Sequence, residues 1–535
     1  MNSFLQNFTA LFLIILSFSS CGSQPELMKS VKAEGPPPAI IPLPDSLSFG
    51  ENMFLIPEEN IICASQGAQK SAAWLQELLK NANIDTKVSA GDSCGNWNLI
   101  LDSEMQGKTG KEGYILDISA EAITLKAATE AGLFYAIQTL RQFFPPEIEQ
   151  GKLTSEELHL REVHIEDEPA YGWRGTMVDV ARSFFGIDYL KDHVDRMAAY
   201  KMNRLHLHLT DDQGWRIEIK SLPKLTEIGG NSSVKNGNSG FISQEEYMEL
   251  QKYAAARNIT IIPEIDMPGH IYAALRSYPE LNCPEFSNLT PARVTPPEPY
   301  QEYRVGWSKL CLENPASYEF VAKVIQEIAE MTIGPWIHIG GDEIKDPLYE
   351  EFVVKADSIV RSYGKTAIGW EEVTKAEVDT SLISQQWHGN VDPVVETKII
   401  KSLCSHFYLD HANVTGQEHT NNWCKKDGVS LKDVYDFSSE DENMIGVEAA
   451  VWTEFVLNEE MLDDRFWPRT VAVAEVGWTQ PSKRNFEGFV KRLGRQSERL
   501  NKMGIHYFST PEIDWGTAEI SKESNTVFSG FMPKE

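Results

Sequence analysis

Asp342 and Glu343 are adjacent acids that close the stretch His338-Ile339-Gly340-Gly341-Asp342-Glu343, just after the apolar run Pro335-Trp336-Ile337. Two carboxylates at the end of a short apolar strand have chemical reach. One can hold a substrate group while the other passes a proton. Gly340 and Gly341 leave room for a ligand beside the backbone. A solvated strand end would carry the same pair, so its meaning depends on which other residues arrive beside it.

The elements that must position these acids repeat along the chain from about residue 169. Eight short apolar runs fall at 175–180, 204–210, 259–265, 336–339, 366–369, 382–386, 402–409 and 445–451, most of them followed by a helical stretch. Clear helical periods occupy 189–200, 245–257, 318–331 and 352–363. The alternation predicts an α/β fold, a (β/α)8 TIM barrel over 169–510, although doubly wound sheets alternate in the same way. The run ends decide between them. They carry Asp179/Arg182, Asp211/Asp212, Asp266/His270, Asp342/Glu343, Trp370/Glu371, Trp387/His388, Tyr408/Asp410 and Trp452/Glu454. A barrel gathers the C-terminal ends of all its strands around one mouth. Long connections at 212–243 and 267–335 would form the rim.

Ahead of the barrel, residues 39–168 mix short strands (97–101, 114–118, 122–128) with helical stretches at 72–79 and 131–144, the second stopped by Pro145-Pro146. This predicts a small α+β domain without a cluster of catalytic residue types. Residues 22–38 are Pro- and Gly-rich and read as a tether, and 511–535 as a polar tail.

The chain has 535 residues, a formal net charge of −29 and 42% hydrophobic residues. So acidic a chain has no electrostatic footprint for nucleic acid or for an anionic membrane surface. The apolar stretch 8–16 is too short to span a membrane and reads as the core of an export signal. Small residues then lead to Cys21, which predicts a lipoprotein cleavage site with Cys21 lipidated, at a periplasmic or cell-surface location. No Lys or Arg precedes Lys29, a departure from the usual basic start, and an ordinary signal peptide cut nearby is the alternative. Six other cysteines remain. Pairing of neighbours (Cys63–Cys94, Cys283–Cys311, Cys404–Cys424) is the simplest arrangement, and six free buried thiols are the alternative.

A mouth rich in acids and Trp, with an Arg beside an Asp, suits a sugar. Aromatic faces stack on C–H faces of the ring, and charged groups bond its hydroxyls. The motifs themselves then become recognisable: RGTMVDVARSFF (174–185), KMNRLHLHLTDDQGWRIEI (201–219), ITIIPEIDMPGH (259–270), HIGGDE (338–343), GWEE (369–372), QQW (385–387), FYLD (407–410) and EAAVWTE (448–454). From about 39 to 508 the chain resembles the family 20 glycoside hydrolases, the exo-β-N-acetylhexosaminidases. EGYILDIS and AGLFYAIQTLRQFF match the small domain that precedes the barrel there.

The resemblance implies substrate-assisted catalysis, in which the sugar's own 2-acetamido oxygen attacks the anomeric carbon. It implies that Glu343 is the general acid and Asp342 orients the acetamido group, with Tyr408 on the acetamido oxygen. Trp370, Trp387 and Trp452 would wall the pocket. Arg182, Glu454 and Asp410 would bond the outer hydroxyls, and Asp211 and His270 would tune Glu343. The Glu343 carboxyl should then be raised by burial and nearby negative charge. Arg182 could also simply pair with Asp179 or Asp211, and Asp212, Asp266, Arg174 and His338 read as structural. Ser183 stands where many relatives have His. No cofactor and no metal is implied, and the partner is a glycan with a terminal β-N-acetylhexosamine.

Three rivals remain. A metal-dependent hydrolase would use His206 and His208, but they lie before a strand end with no further ligands in sequence. A non-catalytic glycan-binding lipoprotein would keep the Trp wall without needing the acids. A family 20 relative could release a disaccharide or a sulfated unit, as lacto-N-biosidases do.

Overall fold

The computed structural model describes residues 31–151, 153, 158–289 and 296–516. The export signal, Cys21 and most of the polar tail lie outside the described residues.

The N-terminal part is an eight-stranded mixed sheet built from β1 (Val31–Lys32), β2 (Ser46–Leu55), β3 (Asn60–Ala64), β4 (Thr86–Ala90), β5 (Trp97–Leu101), β6 (Tyr114–Ile118), β7 (Ile123–Ala127) and β8 (His159–Asp167). Their order is β1-β2-β8-β6-β7-β5-β3-β4. The alternation in β6 and β7 buries residues 114, 116, 118, 123, 125 and 127 on one face. Helices Gln69–Asn81 and Glu130–Arg141 cover that sheet and pack on each other.

The second part is a closed barrel of eight parallel strands: β9 (Trp173–Asp179), β10 (Arg204–His208), β11 (Thr260–Glu264), β12 (Trp336–His338), β13 (Thr366–Trp370), β14 (Ile383–Gln386), β15 (Lys398–Lys401) and β16 (Met444–Val451). Pairing of β16 with β9, from Gly446 on Trp173 to Val451 on Val178, closes it. Helices such as Ile187–Ala199, Gln244–Ala256 and Pro315–Met331 form the outer ring. Ser243 and Glu246 make a reciprocal cap that starts the second of these. This is the TIM barrel expected from the alternation, preceded by the small α+β domain.

The seventh strand differs from the sequence reading. The run 402–409 is not a strand. The strand is Lys398–Lys401, and Cys404–Phe407 winds into a helical turn. Charged ends disguised the true strand. Lys401 Nζ pairs with Asp441 Oδ2 at 2.7 Å and donates to Gln386 Oε1 at 2.5 Å. No α-helix separates β14 from β15.

The six cysteines outside the leader form Cys63–Cys94, Cys283–Cys311 and Cys404–Cys424. The two parts of the chain meet at the N-terminal ends of the barrel strands. There Arg174 makes a two-pronged pair with Glu112 (3.0 and 3.1 Å), and Lys201 Nζ lies 3.0 Å from Asp167 Oδ2. Among the described residues no helix is long and apolar enough to cross a membrane.

Candidate active site

Asp342 and Glu343 leave the barrel at its C-terminal face, just past β12. The backbone turns sharply there. Gly340 and Gly341 sit at φ +66° and +100°, and a Cβ on Gly340 would stand 1.8 Å from Asp266 Oδ1. Asp266 accepts the Gly341 N–H at 3.1 Å, and the Tyr349 hydroxyl donates to the Gly341 carbonyl at 2.5 Å. Glu343 itself has φ +59° and His270 φ +49°. Left-handed backbone costs a residue with a Cβ roughly 1–2 kcal/mol, and such strain collects where geometry serves a ligand.

His270, reached from β11, faces both acids. Its Nε2 lies 3.4 Å from Glu343 Oε2 and 3.6 Å from Asp342 Oδ2, and its Nδ1 lies 3.4 Å from Asp211 Oδ2. Burial opposes a charge on His270, but Asp211 and Asp342 outweigh it and hold the imidazole protonated well above its usual range. The two acids then part company. Burial, together with the Glu343 and Glu372 carboxylates, pushes Asp342 up to about 7 against the pull of His270. Glu343 moves the other way. Burial raises it, but the hydrogen bond and charge of His270 bring it below the ordinary range. The expectation of a raised Glu343 is therefore corrected for the unliganded pocket. The imidazolium sits against Glu343, while Asp342 lies deeper, its side chain 14% exposed against 27% for Glu343.

Arg182 is fixed by its own turn. Asp179 Oδ1 accepts the N–H groups of Ala181 and Arg182 at 2.8 and 3.1 Å. The guanidinium pairs with Asp211 at 2.7 Å and Asp179 at 3.4 Å, comes within 4.0 Å of Glu454, and stacks on Trp452 at 4.8 Å. Both of the pairings foreseen for it are thus made at once. Burial and the neighbouring acids push Glu454 up to about 7, with Arg182 opposing. Ser183 does not enter the pocket contacts. Its N–H donates to Thr453 Oγ1 at 3.0 Å, and its hydroxyl accepts from Asn238 N at 3.3 Å, which ties down the rim.

The wall is aromatic. Trp370 and Trp452 rings lie 5.8 Å apart, and Tyr408 lies 5.9 Å from Trp452. Met177, Trp370, Tyr408 and Ala450 form one apolar cluster with the Cys404–Cys424 bridge, and Trp387 packs on it. Tyr408 arrives beyond its strand and is held by a single bridge to Ala450 of β16. Asp410 is buried, with Oδ2 3.3 Å from His411 Nδ1, and its charge acts on both Tyr408 and Glu454.

Several residues of this site escaped the sequence reading. Glu372, not Glu371, faces the pocket and takes the Trp387 indole N–H at 3.0 Å. Glu371 turns back to Gly389 N at 2.7 Å. Trp423 lies 5.8 Å from Trp387 and 6.0 Å from Tyr408. No period marks it in sequence, although the adjacent Cys424 does. Glu264, an acid at the end of β11, carries the very signal that singled out Asp342. It takes the Trp370 indole N–H at 2.9 Å.

His206 and His208 do gain possible ligand neighbours that their sequence context lacked, Glu264 with His338 for the first and Glu264 with Asp266 for the second. However, His206 is gripped by Glu448 at 2.8 Å and Glu264 at 3.0 Å, which overcome its burial and hold its pKa at about 9. Asp212, read as structural, braces the rim through Gly306 N at 2.7 Å and Tyr272 N at 3.2 Å.

The family description "Glycosyl hydrolase family 20, catalytic domain" matches residues 171–351 and 345–481, and "Glycosyl hydrolase family 20, domain 2" matches 37–168. The chain is 34% identical to a β-N-acetylhexosaminidase of Cellulomonas fimi, over 83% of this chain and 89% of that one. It is 30% identical to a β-hexosaminidase of Porphyromonas gingivalis, over 96% of this chain and 70% of that one. Among solved structures, the β-N-acetylhexosaminidase of Streptomyces coelicolor A3(2) superposes with a TM-score of 0.82 at 34% identity, covering 90% of this chain and 100% of that one.

Proposed function

The chain belongs to glycosyl hydrolase family 20 and is a glycoside hydrolase of the β-N-acetylhexosaminidase type; from that premise we propose that it removes terminal, non-reducing β-linked N-acetylhexosamine with retention, by substrate-assisted catalysis. One observation carries this reading. Asp342 Oδ1 is buried and has no hydrogen-bond partner among the described residues, in a pocket walled by Trp370, Trp452 and Tyr408. An acetamido group supplies what that pocket lacks. Its N–H satisfies Asp342, its carbonyl accepts the Tyr408 hydroxyl, and its methyl meets indole. So held, the acetamido oxygen attacks the anomeric carbon, and intramolecular attack gains from proximity.

Glu343, the more open acid, protonates the departing oxygen as the C–O bond breaks, and the oxazolinium ion forms. Asp342 balances the positive charge of that ion. Water, deprotonated by Glu343, then attacks the anomeric carbon and the acetamido group reforms. In the free pocket burial raises Asp342 while His270 lowers Glu343, so protonation favours Asp342. Donation from the acetamido N–H to Asp342 favours its charged form and returns the proton to Glu343. Arg182 and Glu454, with Asp410 beside them, bond the outer hydroxyls.

Export and lipidation at Cys21 belong to the same proposal. Three disulfides support export, since such bonds persist in oxidising compartments. Palmitate labelling that is lost in Cys21→Ser tests the anchor.

The reaction is tested with nitrophenyl β-N-acetylglucosaminide and β-N-acetylgalactosaminide, whose rate ratio reports epimer preference. Replacing the acetyl group by mono-, di- and trifluoroacetyl weakens the carbonyl nucleophile. Rates falling steeply along that series support substrate assistance, and a flat series sinks it. Release of a disaccharide alone would place the chain with the lacto-N-biosidase-like relatives instead.

A further inference from the structure

A column of alternating charge runs from the middle of the barrel to the reacting pair. It begins at Glu264, a wholly buried residue that ends β11. Glu264 Oε2 lies 2.6 Å from His208 Nδ1. His208 Nε2 lies 3.2 Å from Asp211 Oδ2, and Asp211 holds Arg182 and His270. His270 ends the column against Glu343 and Asp342. The other oxygen of Glu264 takes the indole N–H of the pocket wall, Trp370. Glu264 touches no reacting atom, yet both of its oxygens lead to the pocket.

We propose that Glu264 is a positioning residue for the reaction: its negative charge keeps His208 a double donor that bridges to Asp211, so that His270 stays aimed at Asp342 and Glu343 while the Trp370 ring is fixed. This rests on the hexosaminidase reading above. His208 is faced by Asp179 and Arg182 from the end of β9, by Asp211 from its own connection, and by Glu264 and Asp266 from β11. His206 of the same strand lies 3.0 Å from the Glu264 oxygen that His208 uses and is held on its other side by Glu448 at 2.8 Å, His338 lies 3.1 Å from the other oxygen, and the Trp452 ring stands 5.0 Å from His208. Of the acids, Asp211 is shared with two other cations, and Arg182 opposes a charge on His208. Glu264 is the partner that holds the proton. With a neutral side chain at 264, His208 loses that proton as pH rises. It can then donate only once, from Nδ1 to position 264, and its Nε2 lone pair, which faces the Arg182 N–H at 3.4 Å as well as Asp211 at 3.2 Å, no longer bridges to Asp211. Two acceptors repel, and Asp211 and His270 move off line.

The test compares Glu264→Gln, His208→Gln and the double variant with wild type. Glu264→Gln is expected to lower kcat about 10²-fold, the scale of a small misplacement of catalytic groups, with KM changed far less. The loss deepens as pH rises from 5 to 8. The double variant falls no further than the worse single, because the column is cut at one place. Imidazole NMR titration of the ligand-free protein gives a readout independent of turnover. His208 stays protonated well above its ordinary range in wild type and falls to about 6.5 or below in Glu264→Gln. Glu264→Asp keeps the charge and the high His208 titration, and serves if Gln prevents folding. A pH-independent loss with His208 titrating as in wild type, or additive losses in the double variant, overturns the proposal. Failure of wild type to cleave the nitrophenyl glycosides overturns the hexosaminidase reading alone and leaves the His208 titration standing.

Discussion

Asp167, under the barrel floor, and Asp342, at its mouth, are both removed from water, and they are treated in opposite ways. Asp167 has a donor for every direction. Trp478 Nε1 (2.9 Å) and Asp45 N (3.0 Å) fill Oδ1, and the Tyr114 hydroxyl (2.6 Å) and Lys201 Nζ (3.0 Å) fill Oδ2. Asp342 has His270 at 3.6 Å on one oxygen and nothing on the other among the described residues. Buried polar groups are normally satisfied, and leaving one bare costs roughly 1–3 kcal/mol. The floor spends its charges on docking two parts of the chain. The mouth leaves Asp342 short of a partner, beside the left-handed backbone of Gly340, Gly341 and Glu343, for a ligand to complete. Hydrogen bonding thus sets Asp167, whose two oxygens are filled, apart from Asp342, which keeps one oxygen open.

The sharpest way to test that contrast is Glu343→Gln at the mouth. Loss of a general acid lowers kcat about 10²–10⁴-fold. The deficit should be larger for a sugar leaving group than for nitrophenolate, which departs without a proton. Equal deficits for both would remove Glu343 from that role. At the floor, Lys201→Met leaves Asp167 short of its counter-charge. Breaking a buried pair costs about 3–5 kcal/mol. Urea unfolding should show that loss, with kcat/KM of the folded enzyme unchanged. A change in kcat/KM would mean that the floor is not merely structural.

Asp342→Asn joins the two readouts. Its kcat should fall about 10²–10³-fold, as for loss of a group that stabilises transition-state charge. Its stability should move the opposite way. Asp342 titrates at about 7 in the fold against 3.8 ordinarily, so the folded state binds the extra proton. The stability this confers is fully present below the ordinary pKa and is lost as pH rises through 7. Asn cannot ionise, so the Tm advantage of the variant over ligand-free wild type should widen from pH 5 to pH 8. An equal gap at both pH values would break the comparison. The smallest effect is at the wall. Trp387→Phe removes the hydrogen bond to Glu372 while keeping an aromatic face, which is worth about 1 kcal/mol. Assays of kcat/KM should show a drop of about 3–10-fold, and a loss approaching that of Asp342→Asn would make Glu372 a reacting group.

Much of the fold and of the site was legible because its signals are local. Strand 336–338 ends in Asp342 and Glu343 within a few residues, and alternating runs with acids or Trp at their ends recur along the chain. Other features were hidden for equally physical reasons. Lys398–Lys401 does not look like a barrel strand, because it begins and ends on Lys, and the buried Lys401 is compensated only by Asp441 and by a hydrogen bond to Gln386 from elsewhere. Trp423 reaches Trp387 and Tyr408 on a connection pinned by Cys404–Cys424, and although the sequence offered that neighbour pairing beside free thiols, nothing in it says that the loop turns Trp423 to the pocket wall. Glu264 was passed over although it ends a strand as Asp342 does, since its importance lies in partners from β10 and β13.

The sequence by itself therefore determined the barrel, the small domain before it, the acids at the mouth and the family to which they belong. These follow from periodicity and from motifs that lie within a few residues of one another. Only the tertiary structure set the two acids apart. Asp342 and Glu343 are neighbours of nearly identical chemistry, and one is raised while the other is lowered. That split comes from how deeply each is buried and on which side His270 stands, and both depend on segments that are distant in sequence and meet only in the fold.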